Sequence, residues 1–175
     1  MSGKSTFMKS IGLSIYLAQL GFPVPAKYMR FKLMDGIITS INLTDDLNLG
    51  YSHFYSEIKR IKTVAENLNK KQRLLVVFDE LFRGTNLQDA SEGSIEIINA
   101  LSTIDKESFF VFSSHIYEIV NSLEKNNNIF FKYFKTQKNG DQFIRDYKLY
   151  DGSSMERFGM KLIKQERIIE LIKAM

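Results

Sequence analysis

Residues 4–20 are apolar on nearly every side, with Phe7, Met8, Ile11, Leu13, Ile15, Leu17 and Ala18, and they run into Gly21, Pro23 and Pro25. A helix without a polar face is expected to be buried, and a glycine followed by prolines marks its end. Residues 37–42 are a short β-rich run, while residues 45–52 collect Asp, Asn, Gly and Ser, the composition of a loop. Across residues 52–69 the apolar positions Phe54, Ile58, Ile61, Ala65 and Leu68 return every three or four residues, which predicts a helix with that face inward. Leu74-Leu75-Val76-Val77-Phe78 then forms a continuous apolar run, as expected of a strand covered on both faces of a parallel sheet.

The alternation continues with a helix over residues 89–104, a second buried strand over 109–113 and a short helix over 116–123. Strands and helices in turn predict an α/β fold, a mostly parallel sheet flanked by helices. The tail breaks that rhythm. Aromatic-rich runs at residues 129–136 and 142–150 flank Asn139-Gly140, a strong antiparallel hairpin signal, and such a hairpin should extend or flank the sheet. Residues 155–172 close the chain as an amphipathic helix with Met155, Phe158, Leu162, Ile169 and Ile172 on one side. No repeat, linker or low-complexity segment interrupts the pattern. A length of 175 residues, 44% of them apolar, suits one domain spanning residues 1–175.

Composition narrows the classes. The chain has no cysteine, which excludes disulfides and thiolate metal sites. Its longest apolar stretch, residues 11–22, is interrupted by Ser14 and Gln19 and falls short of the roughly 20 residues that span a bilayer. No membrane span is expected, the first residues lack the pattern of a secretory leader, and the cytoplasm is the expected location. Net charge is +4, with basic clusters at Lys59-Arg60-Lys62, Lys70-Lys71-Arg73 and across residues 157–173. On charge alone these read as solvated faces ahead of a nucleic-acid patch.

The candidate chemistry sits at the element ends. Gly3-Lys4-Ser5-Thr6 matches the second half of the phosphate loop G-x-x-x-x-G-K-[ST]: backbone N–H groups wrap phosphates, the lysine reaches the β and γ oxygens, and a hydroxyl holds Mg²⁺. A lone G-K-S tripeptide is common, but here an apolar helix follows at once, as the phosphate-loop mechanism requires. Asp79-Glu80 ends the apolar strand, at the edge where α/β folds place ligands. Neighbouring strand residues point to opposite sides, so Asp79 can hold the Mg²⁺ shell while Glu80 polarises an attacking water. Taken alone, the acid pair also fits an exposed turn after a strand. His115 follows the next strand and can donate to a γ-phosphate or its water, whereas His53 has no such position and is expected on a surface or loop.

These motifs stand in an order that resembles the C-terminal, ABC-type ATPase domain of the MutS mismatch-repair family. Residues 2–12, Ser-Gly-Lys-Ser-Thr-Phe-Met-Lys-Ser-Ile-Gly, are similar to that family's phosphate loop and first helix. Val24-Pro25-Ala26 resembles its V-P-A turn. Asp45-Asp46-Leu47 with Gly50, Ser52, Phe54 and Glu57 resembles its signature region. Asp79-Glu80-Leu81, Arg83-Gly84-Thr85 and Ser114-His115 complete the series, and Tyr147-Lys148-Leu149 and Phe158-Gly159 resemble its C-terminal end.

The resemblance implies a P-loop fold that binds ATP or ADP with Mg²⁺. Ser2, Gly3, Lys4, Ser5 and Thr6 would cradle phosphate, and Ser5 and Asp79 would hold the metal. Glu80 and His115 would serve hydrolysis. It also implies a homodimer with composite sites, in which Ser52 reaches the partner's γ-phosphate and residues 86–89 cross the interface. DNA would be bound by regions upstream, and the chain would begin inside its phosphate loop, leaving the isolated fragment weakly active or inactive. The family pattern has glycine at the positions of Phe82 and Ala90. Those two departures point to a divergent branch. They also keep open a catalytically weak, nucleotide-dependent dimerisation module of a MutS-related protein with another role in DNA maintenance.

Overall fold

In the computed structural model, which describes residues 3–41, 53–104, 107–139, 142–154 and 166–173, the strand Leu74–Asp79 (β2) is the centre of a three-stranded sheet. Its neighbours are Gly36–Ser40 (β1) and Phe109–Ser113 (β3), both parallel to it. Leu74 to Phe78 are all buried, as a continuous apolar run in a covered central strand should be. Each such side chain removed from water is worth roughly 1.5–3 kcal/mol before entropy is counted.

Residues Lys4–Gln19 (α1) cover one face of the sheet: Met8 and Ile15 meet Leu75 and Val77, with Ile11, Ile37 and Val111 packed around them. The expectation of an all-round buried helix is corrected here. Only Met8, Gly12 and Ile15 of α1 are buried, and Leu13 and Tyr16 face outward.

Residues His53–Asn69 (α2) also pack on β1 and β2, with Phe54, Ile61 and Leu68 inward as the apolar spacing suggests but two of its other positions displaced by one residue. The inward stripe is Phe54, Glu57, Ile61, Val64 and Leu68, whereas Ile58 and Ala65 are exposed. A buried carboxylate, Glu57, occupies a place that the count of apolar residues gave to its neighbour. His53 opens this helix rather than lying in a loop.

Residues Leu87–Ser102 (α3) begin at Asn86, whose side-chain oxygen accepts the backbone N–H of Asp89 at 2.9 Å, a standard N-cap. α3 packs on the short helix Tyr117–Leu123 (α4). Phe109 lies 55% exposed, so β3 is only partly covered rather than buried as expected. At the opposite, N-terminal end of the sheet, the Arg73 guanidinium grips both carboxylate oxygens of Asp35 at 3.2 Å each.

These elements form one compact unit, Gly3–Ile129, and the chain from Phe130 onward forms another. The second unit contains the antiparallel hairpin of Lys132–Asn139 (β4) and Gln142–Asp151 (β5), which is its own two-stranded sheet. Asn139 pairs with Gln142, so the chain reverses just after the Asn residue of the Asn139-Gly140 signal. Tyr133 and Tyr150 lie across from each other with ring centroids 5.8 Å apart. The last described helix is Ile168–Lys173 (α5), preceded by a turn in which Arg167 has φ 53°. A single helix through residues 155–172 is therefore interrupted at 166–167, and residues 155–165 lie outside the described residues. No described helix is long and apolar enough to cross a membrane.

Candidate active site

Parallel strands bring their C-terminal ends to one edge, and three segments distant in sequence meet there. The Ser5 hydroxyl, in the first turn of α1, donates to Asp79 Oδ2 at the end of β2. Ser113, at the end of β3, donates its hydroxyl to the other oxygen, Asp79 Oδ1, as its place opposite Asp79 in the strand register allows. The Lys4 ammonium donates to the Ser114 carbonyl at 3.3 Å. Gly3 supports this start of α1 with φ 91°, which a residue with a Cβ adopts only at a cost, and its carbonyl accepts the Phe7 N–H at 2.9 Å.

Glu80 leaves the strand by a left-handed turn, at φ 58°. Its backbone N–H is shared between the carbonyl and hydroxyl oxygens of Ser113, each at 3.2 Å. Its carboxylate is partly buried and lies 3.3 Å from His115 Nδ1 and 3.6 Å from Arg83 Nε. Asp79 and Glu80 thus engage different partners, and Glu80 lies in a left-handed turn after β2 rather than in strand alternation. His115 and Arg83 are themselves well exposed, at 64% and 68%.

The structure thus gathers Lys4, Ser5, Asp79, Glu80 and His115 within one unit. Thr6 is exposed on the following residue of α1, and Ser2 and Ser52 lie outside the described residues. Two contributors were not singled out from sequence: the Ser113 hydroxyl on Asp79, and Arg83 beside Glu80. The first was visible in principle, because a hydroxyl that ends one parallel strand sits across from an acid that ends the next.

The donor set suits a hard cation of the magnesium kind. One carboxylate and one hydroxyl, Asp79 and Ser5, are adjacent, and among the described residues no group of three or more His, Cys, Asp or Glu forms an all-protein cage. Magnesium binds through one or two protein oxygens and completes its shell with water and phosphate.

The family model for MutS domain V matches residues 1–173 of the chain. MutS protein homolog 4 of Mus musculus is 34% identical over 168 residues, which is 92% of this chain and 17% of that protein. The DNA mismatch repair protein MutS of Leptospira interrogans is 31% identical over 164 residues, 94% of this chain and 19% of that protein. The corresponding MutS of Desulfitobacterium hafniense is 26% identical over 164 residues. The chain spans less than a fifth of the length of these relatives.

Proposed function

Because the chain belongs to the MutS domain V family, we propose that it is the ATP-binding and hydrolysing part of a MutS-like protein that acts on DNA. The observation that carries this reading is the meeting of a helix start bearing Lys4 and Ser5 with a strand end bearing Asp79 and Glu80. Residues 3–6 bind the phosphates: the first N–H groups of a 16-residue helix and the Lys4 ammonium converge on negative charge. Ser5 and Asp79 hold magnesium, which neutralises phosphate charge when bound. Glu80 orients a water and accepts its proton, and His115 donates toward the γ-phosphate.

Nucleotide state drives pairing with a second copy, to whose site Ser52 contributes, and regions outside this chain contact DNA. The protein works in the cytoplasm. The deciding experiment is ATP turnover by the full-length protein beside Lys4→Ala and Glu80→Gln. Losses of roughly a hundredfold or more are expected for Glu80→Gln, and unchanged turnover in both variants would sink the reading.

A second reading is favoured by the engagement of the Glu80 carboxylate by both His115 and Arg83. Here the site binds nucleotide and dimerises with little hydrolysis, in a MutS-related protein with another role in DNA maintenance. Sedimentation with and without ATP separates the two: tight nucleotide-dependent dimers without phosphate release favour the second.

A further inference from the structure

Two residues after Glu80, Phe82 also adopts a left-handed backbone, at φ 61°. An L residue with a large side chain seldom holds this conformation unless its surroundings impose it. Phe82 is 5% exposed, and its ring meets Phe54 of α2 edge-on, centroids 5.4 Å apart and planes at 63°. The same ring also meets Gly93 of α3, where an added Cβ would stand 3.0 Å from Cε2 and 3.3 Å from Cδ2. The ring therefore occupies the space that any larger residue at 93 would need. Leu81 is buried beside it, so the turn that presents Glu80 is anchored by two apolar side chains.

We propose that Phe82 is a positioning residue: its ring, packed against Phe54 and Gly93, holds the turn in the left-handed conformation that aims the Glu80 carboxylate. This rests on the role given to Glu80 above. Glycine would reach the same φ without a wedge, since it has no Cβ to strain. Alanine has neither the freedom nor the ring. Phe82 is thus the large-residue solution to a backbone requirement that glycine meets by flexibility, and Gly93 is its necessary complement.

The test uses the full-length protein and two readouts: steady-state ATP turnover, and hydrogen exchange of the peptide covering residues 79–85 followed by mass spectrometry. Phe82→Ala is expected to lower kcat by on the order of tenfold to a hundredfold, with KM for ATP within about twofold, because a misaimed group loses rate rather than binding. Exchange of the peptide should quicken by about tenfold. Phe82→Gly should recover most of the kcat lost in Phe82→Ala. Gly93→Ala, a change that favours the helix itself, should reproduce the defect by pushing on the ring, and should do nothing in the Phe82→Gly background.

Equal impairment of Phe82→Ala and Phe82→Gly would overturn the proposal, as would a rise in KM at constant kcat, or unchanged exchange in both Phe82→Ala and Gly93→Ala. If Phe82→Ala fails to fold, Gly93→Ala and the double variant decide. A parent protein without turnover removes the catalytic role of Glu80, and the exchange pattern alone then decides whether Phe82 holds the turn.

Discussion

Ser5 donates its hydroxyl hydrogen to Asp79 across 74 positions of sequence, joining the first turn of α1 to the end of the central strand. Asp79 has a second hydroxyl on its other oxygen, from Ser113, so both carboxylate oxygens are engaged by alcohols.

Ser5→Ala and Asp79→Asn are each expected to weaken magnesium-dependent ATP binding by roughly tenfold or more, the scale of one charge-assisted hydrogen bond. Binding measured without magnesium should change far less. The double variant should lose less than the sum of the two, because both act on one site. Calorimetry on the full-length protein with and without magnesium checks this, and equal losses in both conditions would count against the assignment.

The other end of the sheet gives a pH signature. Asp35 is held below its ordinary 3.8 by the side-chain hydrogen bonds from Arg73 and then by the Arg73 backbone N–H. A carboxyl with a depressed folded pKa adds stability that is complete above its unfolded value and vanishes as pH falls through the folded one. The parent's advantage over Asp35→Asn should therefore be whole at neutral pH, shrink below 3.8 and disappear once pH passes the folded value. Both groups are half-exposed, so salt should also reduce it. Urea midpoints across pH 3 to 7 (about that range suffices) give the answer, and an advantage that grows on acidification would contradict it.

Phe78 is buried in β2 and stacks on Phe112 of β3, with ring planes 5° apart and centroids at 5.9 Å. Phe78→Ala should cost about 3–5 kcal/mol, the transfer term plus a cavity between two strands. Denaturant unfolding of the 175-residue chain measures it, and a loss below about 1 kcal/mol would show that the site collapses around the gap.

Asn86 caps α3 through Asp89 N–H, and its own amide donates to the Asp89 carboxylate at 2.6 Å. Asn86→Ala is expected to destabilise by about 0.5–2 kcal/mol, and Asn86→Ser by much less, since serine caps nearly as well. The same unfolding experiment distinguishes them.

Strands were legible because the buried centre of a parallel sheet tolerates little except apolar residues: Leu74 to Phe78 declared themselves, and Asn139-Gly140 marked the hairpin. The grouping of the candidate site was legible for a related reason, since Lys4, Asp79, Glu80 and His115 stand at element ends. What the pattern hid has a physical cause in each case. In α2 the expected Phe54, Ile61 and Leu68 do turn inward, but Glu57 and Val64 are buried in place of Ile58 and Ala65, and a buried carboxylate escapes a count of apolar positions. The left-handed backbones of Glu80, Phe82 and Arg167 carry no compositional mark, because none of the three is a glycine. In α1 the apolar positions go nearly all round, yet only the stripe of Met8, Gly12 and Ile15 is buried, so composition alone overstated its burial.

Because β1, β2 and β3 all run the same way, the two rims of the sheet are unequal partners in natural variation. On the proposed assignment, a change at the Asp35 and Arg73 rim should alter how long the molecule survives, while the same kind of change at the Asp79 and Ser113 rim should alter what it can do. Sequence drift can therefore trade durability at one pole without touching reactivity at the other.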